Sequence, residues 1–168
     1  MAVKNILKYL RWTKDAFLIY GDGEFEVTGY TDASFQTDKD DCKSQFRYIF
    51  YLNNGAVSWK SSKQETVADS TIEGEYIAAA EAAKEAVWIR KFLIGLGVVP
   101  LAAEPIPLYC DNNRAIAQAK EPRSHQWSKH VLRCFHLIHE IIHRGDVKVE
   151  KVASDDNITD PLMKAIPQ

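Results

Sequence analysis

The chain has 168 residues, of which 46% are hydrophobic and 26% charged, and its net charge is −2. This composition excludes an intrinsically disordered chain and suits one globular domain with a substantial core. No apolar run approaches the roughly 18 residues of a membrane-spanning helix, and residues 1–10 lack the apolar stretch of a secretory signal peptide. The three cysteines are widely spaced, so we expect a reducing compartment with neither a disulfide framework nor a zinc site.

The first half of the chain predicts one helix followed by three strands. Val3, Ile6, Leu7 and Leu10 recur at the i, i+3, i+4, i+7 spacing of an amphipathic helix. Alternation over residues 24–31 predicts the first strand. Residues 47–52 and 56–60 predict two more, joined by the hairpin signal Asn53-Asn54-Gly55.

The second half predicts helices alternating with two further strands. Ser70 and Thr71 are typical of the cap of a long helix that ends near Gly97. A strand over residues 106–110, helices over 112–120 and 128–143, a strand over 147–152 and a helical turn over 158–164 follow. This order predicts an α/β fold with a mixed sheet covered on both faces. The expected buried face of the long helix comprises Tyr76, Ile77, Ala80, Ala83, Val87, Trp88 and Leu93.

Four acidic residues stand at the ends of predicted strands or near the starts of predicted helices: Asp32, Glu75, Asp111 and Asp160. Carboxylates that converge on one sheet edge resist ionisation unless cations neutralise them. Oxygen ligands favour Mg²⁺ over zinc, and a pair of such ions suits phosphate hydrolysis. The same positions are also typical of helix caps and surface acids, so the pattern alone leaves both interpretations open.

A short basic stretch interrupts this mildly acidic chain. Residues 120–133 contain Lys120, Arg123, Lys129 and Arg133 against a single acid, Glu121. Such a strip favours contact with a nucleic-acid backbone. A solvated helix face is an equal alternative.

Six ordered blocks of the sequence resemble the ribonuclease H domain of copia-type retrotransposon polyproteins. The likeness extends over residues 2–167. The blocks are Gly29-Tyr30-Thr31-Asp32-Ala33-Ser34, residues 56–64, Glu75-Tyr76-Ile77-Ala78, Tyr109-Cys110-Asp111-Asn112, Ser128-Lys129-His130-Val131 and Asp160-Pro161-Leu162.

The resemblance implies a ribonuclease H-like fold, whose five-stranded mixed sheet has three antiparallel meander strands and two parallel ones, with helices on both faces. It implies endonucleolytic cleavage of the RNA strand of RNA–DNA hybrids during reverse transcription, leaving 3′-hydroxyl and 5′-phosphate ends. The implied cofactors are two Mg²⁺ (or Mn²⁺) ions. The implied catalytic residues, which are also the metal ligands, are Asp32, Glu75, Asp111 and Asp160.

The resemblance also implies partners and contacts. The partners are the hybrid and the reverse transcriptase domain of the same polyprotein, to which residues 1–22 would connect the domain over residues 23–168. The expected location is a cytoplasmic virus-like particle, with no membrane partner. The expected substrate contacts, for which capping or surface roles are the alternative, are Ser34, Ser70, Thr71, Asn112, Lys129 and His130.

Several residues depart from the family pattern. Phe46 and Arg47 replace small residues of the second strand, Gly74 replaces alanine, and Trp127 replaces arginine. These changes suggest an alternative hypothesis, a decayed or domesticated, weakly active or inactive module that binds nucleic acid or protein. The four intact acids argue against it, since loss of function should erode a metal ligand early. An integrase or resolvase of the same fold would cut DNA, but the motif order does not resemble those families.

Overall fold

The computed structural model describes residues 2–17, 21, 26–37, 40–97, 104–120 and 129–159. Among them are five strands, four α-helices and one short 3₁₀ turn at Ser154–Asp156. The strands are β1 (Val27–Ser34), β2 (Gln45–Leu52), β3 (Gly55–Lys63), β4 (Ile106–Cys110) and β5 (Val147–Lys151). The helices are α1 (Ala2–Trp12), α2 (Thr71–Leu96), α3 (Asn113–Lys120) and α4 (Lys129–His143).

The strands form one mixed sheet in the order β3-β2-β1-β4-β5. The first three strands pair antiparallel, whereas β4 runs parallel to both β1 and β5. Asn53 and Asn54 have positive φ angles of 48° and 62°, which is the backbone that a tight hairpin between β2 and β3 requires. The five-stranded mixed sheet expected from the sequence is therefore confirmed.

Helix α2 begins and ends where its sequence predicts. The Ser70 hydroxyl accepts a hydrogen bond from the Glu73 backbone amide at 3.2 Å, which caps the first turn. At the other end Gly97 has a φ of 65°, the left-handed conformation that glycine adopts most easily. A row of buried alanines lets the helix lie close to the sheet: Ala78, Ala79, Ala80, Ala82, Ala83 and Ala86.

One part of the predicted helix face was wrong. Trp88 is 59% exposed, and its ring stacks on that of Phe92 with centroids 5.2 Å apart. The buried stripe of α2 continues past this position, because Ala86 is fully buried and Ile89, the residue after Trp88, is 5% exposed. Trp88 therefore lies on the solvent face of the helix, where Phe92 and Ile94 are also about half exposed.

A close approach between β1 and β2 shapes the core. Gly29 pairs with Phe50, whose side chain is fully buried, and a Cβ atom added at Gly29 would overlap the Phe50 ring. The core that contains Phe50 continues through Leu108 of β4 and Ile138 of α4. Strands β1, β2 and β4 and helix α4 are therefore packed around one core.

Helix α1 is amphipathic, as expected, but its apolar side chains remain largely uncovered. Val3 is 71% exposed and Leu7 is 61% exposed. Within the described ranges, no helix combines the length and apolar character needed to cross a membrane. The helical turn expected over residues 158–164 lies largely outside the described residues; its first two residues, Ile158 and Thr159, form a turn.

Candidate active site

Parallel pairing of β1 and β4 brings two of the expected acids to one edge of the sheet. Thr31 pairs with Cys110, so the next residues, Asp32 and Asp111, stand side by side. Asp32 lies two residues before the end of β1 and is 9% exposed, whereas Asp111 directly follows β4 and is partly exposed. The carboxyl ends of parallel strands are a common position for functional side chains.

Glu75 reaches the same edge from the N-terminal part of α2. Its side chain is 8% exposed, and among the described residues its Oε2 atom has no hydrogen-bond partner. Burial, followed by repulsion from Asp32 and Asp111, raises the pKa of Glu75 to about 9. Burial and then Asp111 also raise the pKa of Asp32. Three carboxyls therefore lie close together, and two of them, Asp32 and Glu75, have raised pKa values.

A buried thiol that sequence reasoning did not assign lies among these acids. One ligand atom each from Glu75, Cys110 and Asp111 lies within 4.8 Å of the others, so this group could hold a metal ion. Burial raises the pKa of Cys110 to about 12. A hydrogen bond from the Asn112 backbone amide acts in the opposite direction and lowers this pKa. The thiol therefore stays protonated at neutral pH, and the carboxylates supply the charge for a cation. The position of Cys110 before Asp111 was the available signal.

An open cleft of about 420 Å³ adjoins the carboxylates. Its lining includes Thr71 at the start of α2 and Asn112 before α3. The Asn112 side chain also caps α3, because its Oδ1 accepts from the Arg114 and Ala115 amides at 3.0 and 3.1 Å. The remaining lining residues are Ile72, Glu75, Asp111, Asn113 and Arg114. Thr71 and Asn112 thus border the cleft, whereas Ser70 serves as the α2 cap.

Ser34 faces a buried cation that the sequence did not reveal. Arg47, 2% exposed, pairs with Asp32 across β1 and β2, and its Nη1 lies 3.6 Å from Asp32 Oδ2. Its Nη2 donates to Ser34 Oγ at 3.2 Å, and Ser34 is itself buried. The arginine that departs from the family pattern therefore forms a charge pair with an expected metal ligand.

The chain that leads to Asp160 is tied to β1. Asn157 Nδ2 donates to the Thr31 carbonyl at 3.2 Å, and Asn157 Oδ1 accepts from the Thr159 hydroxyl at 2.8 Å. Both Asn157 and Thr159 are buried. Asp160 itself lies outside the described residues, as do the side chains of Lys129 and His130, although these two form the first turn of α4. Sequence reasoning missed Asn157, which carries no signal except its position before Asp160.

Retrotransposon Pol polyproteins are similar to this chain along nearly its whole length. The retrovirus-related Pol polyprotein from transposon TNT 1-94 of Nicotiana tabacum is 40% identical over 167 residues, which are 99% of this chain and 12% of that polyprotein. The Pol polyprotein from transposon RE2 of Arabidopsis thaliana is 34% identical over 166 residues, 98% of this chain and 11% of the polyprotein. The chain thus spans a small part of the length of these relatives. No protein-family model matches.

Solved structures share the fold at low sequence identity. The LC11 ribonuclease H1 in complex with an RNA/DNA hybrid is 12% identical, with a TM-score of 0.55 over 79% of this chain and 88% of that chain. Prototype foamy virus protease–reverse transcriptase is 13% identical, with a TM-score of 0.54 over 85% of this chain and 20% of that chain. The chain therefore has the ribonuclease H fold and is homologous, along nearly its whole length, to one segment of copia-type retrotransposon Pol polyproteins.

Proposed function

We propose that this chain is a metal-dependent ribonuclease H that hydrolyses the RNA strand of RNA–DNA hybrids during reverse transcription, leaving 3′-hydroxyl and 5′-phosphate ends. The observation that carries the proposal is the convergence of Asp32, Glu75 and Asp111, from β1, α2 and the end of β4, at one sheet edge beside an open cleft. Homology to the Pol polyproteins supports the choice of substrate.

The residues present fit a pair of hard divalent cations. A buried carboxyl with an oxygen that lacks a hydrogen-bond partner among the described residues, and with two acids beside it, is stabilised when positive charge enters. Asp32, Glu75 and Asp111 would hold two Mg²⁺ or Mn²⁺ ions, and we assign Asp160 as the fourth ligand. When bound, such ions supply an activated water and neutralise charge on the departing oxygen.

The assignment of Asp160 has indirect support from its neighbours. Thr159, the residue directly before it, is buried and hydrogen-bonded to Asn157, which in turn holds the Thr31 carbonyl. Thr31 precedes Asp32 in β1. The arm that ends at Thr159 is thus attached to the strand that carries the first carboxylate. In this proposal Asn157 and Thr159 are positioning residues for Asp160.

The cleft would hold the substrate backbone. Thr71 and Asn112 border it beside the carboxylates, and Arg114 adds a cation to the lining. We propose that Thr71 and Asn112 contact the hybrid directly, together with Lys129 and His130 at the start of α4. Ser34 and Ser70 would act less directly, because the first holds Arg47 and the second caps α2. Discrimination of RNA from DNA requires contacts to 2′-hydroxyls in the minor groove.

The chain would work beside the reverse transcriptase domain of the same polyprotein, in a cytoplasmic virus-like particle. The exposed apolar side chains of α1, such as Val3 and Leu7, support a partner at the N-terminal segment, residues 1–22. Residues 23–168 would then form the nuclease domain.

One observation favours the second candidate function, a weakly active or inactive module that binds nucleic acid. Arg47 already places a positive charge beside Asp32. A site that carries its own cation needs less metal to remain folded, which is compatible with a domain that binds a hybrid without cutting it. The two functions make different predictions for the same assay.

The test is cleavage of a labelled RNA–DNA hybrid in Mg²⁺ or Mn²⁺ by the wild type and by Asp111→Asn. Single-stranded RNA and duplex DNA of matched sequence are the control substrates. We expect hybrid-specific cutting by the wild type and a loss of at least about 100-fold in the variant, in line with the size of electrostatic contributions to catalysis. Absence of cutting by a folded wild type that still binds the hybrid would favour the binding module.

A further inference from the structure

Arg47 is fixed in the interior beside the carboxylates. It pairs directly with Asp32 across two antiparallel strands, an arrangement that puts both side chains on one face of the sheet. Its guanidinium lies 3.6 Å from the Asp32 carboxylate and donates to Ser34 Oγ at 3.2 Å and to Gln45 Oε1 at 3.4 Å. With 2% exposure, the group has little access to water.

The charge of this guanidinium is permanent, because arginine does not lose its proton in proteins. A buried permanent charge requires an anion nearby, and Asp32 supplies one. Asp32 in turn belongs to the group of acids that includes Glu75 and Asp111. One permanent positive charge therefore lies beside this group of acids.

We propose that Arg47 is a resident counter-ion of the carboxylate site, which keeps the metal-free domain folded and weakens the affinity of the site for divalent cations. The inference rests on the proposed function in one respect, namely that Asp32 is a metal ligand. A unit positive charge a few ångströms from a divalent ion disfavours binding by at least about ten-fold, even at the high effective dielectric of protein sites. The same charge of Arg47 thus stabilises the metal-free fold and lowers the affinity of the site for divalent cations.

Two variants at this position separate charge from packing. Arg47→Gln removes the charge and retains a hydrogen-bonding side chain, whereas Arg47→Lys keeps the charge. Arg90→Gln is the matched control, because Arg90 forms a partly buried ion pair with Asp146, at the other end of α2 from the carboxylates. Mg²⁺ affinity is measured by calorimetry, and thermal unfolding is measured in EDTA and in saturating Mg²⁺.

We expect Arg47→Gln to bind Mg²⁺ about ten-fold more tightly than the wild type, as the Coulomb argument requires. In EDTA this variant should unfold at a lower temperature than the wild type. Saturating Mg²⁺ should raise its unfolding temperature by more than it raises that of the wild type. Arg47→Lys should keep the wild-type affinity. Arg90→Gln should unfold at a lower temperature with no change in Mg²⁺ affinity.

Equal or weaker Mg²⁺ binding by Arg47→Gln would overturn the inference, and so would Arg47→Lys behaving like Arg47→Gln. If Arg47→Gln is unfolded in EDTA, Mg²⁺ must refold it, and a variant that stays unfolded in Mg²⁺ also overturns the inference. A wild type that binds Mg²⁺ but does not cut the hybrid refutes the proposed function and leaves the counter-ion intact. Hybrid cutting by a wild type whose Mg²⁺ affinity does not respond to Arg47 refutes only the counter-ion.

Discussion

The two ends of helix α2 differ in the charged groups that surround them: acids lie together near the N-terminal end, and ion pairs form near the C-terminal end. Near its N-terminus, Glu75 lies beside Asp32 and Asp111, and burial together with their repulsion raises its pKa and opposes its ionisation. Toward its C-terminus, Arg90 pairs with Asp146, which also accepts from Arg144 Nε at 2.9 Å. Arg144 pairs in addition with Glu140 at 3.0 Å, so two cations balance two anions. A balanced network serves the fold, whereas an excess of buried carboxylates costs stability and indicates a site for cations.

The largest change in the free energy of unfolding should come from neutralising Glu75, at the N-terminal end of α2. The raised pKa of Glu75 means that the folded protein keeps a proton that the unfolded chain releases above its ordinary pKa of 4.5. Stability of the metal-free protein therefore falls as the pH rises from 4.5 toward about 9. We expect Glu75→Gln to increase the free energy of unfolding at pH ~8 by about 2 kcal/mol.

Denaturant unfolding in EDTA across this pH range measures that difference. The gain should shrink near the lower end of the range, where the wild-type carboxyl is protonated in both states. A Glu75→Gln variant that is less stable than the wild type at every pH would mean that ionisation of Glu75 does not destabilise the metal-free protein.

An effect of similar size, but of opposite sign, should come from breaking the hydrogen bonds of the arm that leads to Asp160. Asn157→Ala removes the hydrogen bonds to the Thr31 carbonyl and to Thr159, all of which are buried. We expect a loss of about 2 kcal/mol in the free energy of unfolding. If the arm positions Asp160, hybrid cleavage should fall further than the unfolded fraction explains. Cleavage that follows the folded fraction alone would assign Asn157 a purely structural role.

Breaking the ion pair of Arg90 with Asp146, near the C-terminal end of α2, should lower the free energy of unfolding by less and leave hybrid cleavage unchanged. Arg90→Gln leaves Asp146 with Arg144 as its remaining charged partner among the described contacts. Because the pair is partly exposed, we expect a loss of about 1–2 kcal/mol, measured by denaturant unfolding. Hybrid cleavage per folded molecule should be unchanged. Loss of cleavage in this variant would show that the two ends are coupled, contrary to the comparison.

The smallest expected effect is a gain at the first turns of α2. A Cβ atom at Gly74 would meet its nearest neighbour, Ser44 Oγ, at 3.5 Å, an ordinary contact. Gly74→Ala should therefore stabilise the helix by ~0.5–1 kcal/mol without crowding Glu75. Thermal unfolding checks the sign. A loss of stability would mean that the start of α2 needs the freedom of glycine, although its surroundings leave room for alanine.

Local signals in the sequence were enough for most of the fold. The Asn53-Asn54 hairpin, the Ser70 cap and the apolar strand before Asp111 each depend on neighbouring residues, and each lies where it was predicted. The alternation of helices and strands then predicted the mixed sheet. Trp88 was placed wrongly because a large apolar residue was assigned to the buried face, whereas that face continues through Ala86 and Ile89.

The charge arrangement of the site could not be predicted in the same way. That Arg47 pairs with Asp32 depends on the register between β1 and β2, which the length and path of the intervening loop set. The bond from Asn157 to Thr31 joins residues 126 positions apart. The acids were found because each stands beside a recognisable strand or helix end, whereas their counter-ion and their anchors are visible only in three dimensions.

The most direct test of the carboxylate centre is Mn²⁺ binding, measured by calorimetry on the wild type and on Asp111→Asn at pH ~8, with Arg90→Gln as the control. We expect saturable binding by the wild type and the control, and binding at least about ten-fold weaker by Asp111→Asn, because one charged ligand is lost. Equal affinity of Asp111→Asn and the wild type, or no saturable binding by the wild type, would contradict a metal centre at this edge of the sheet.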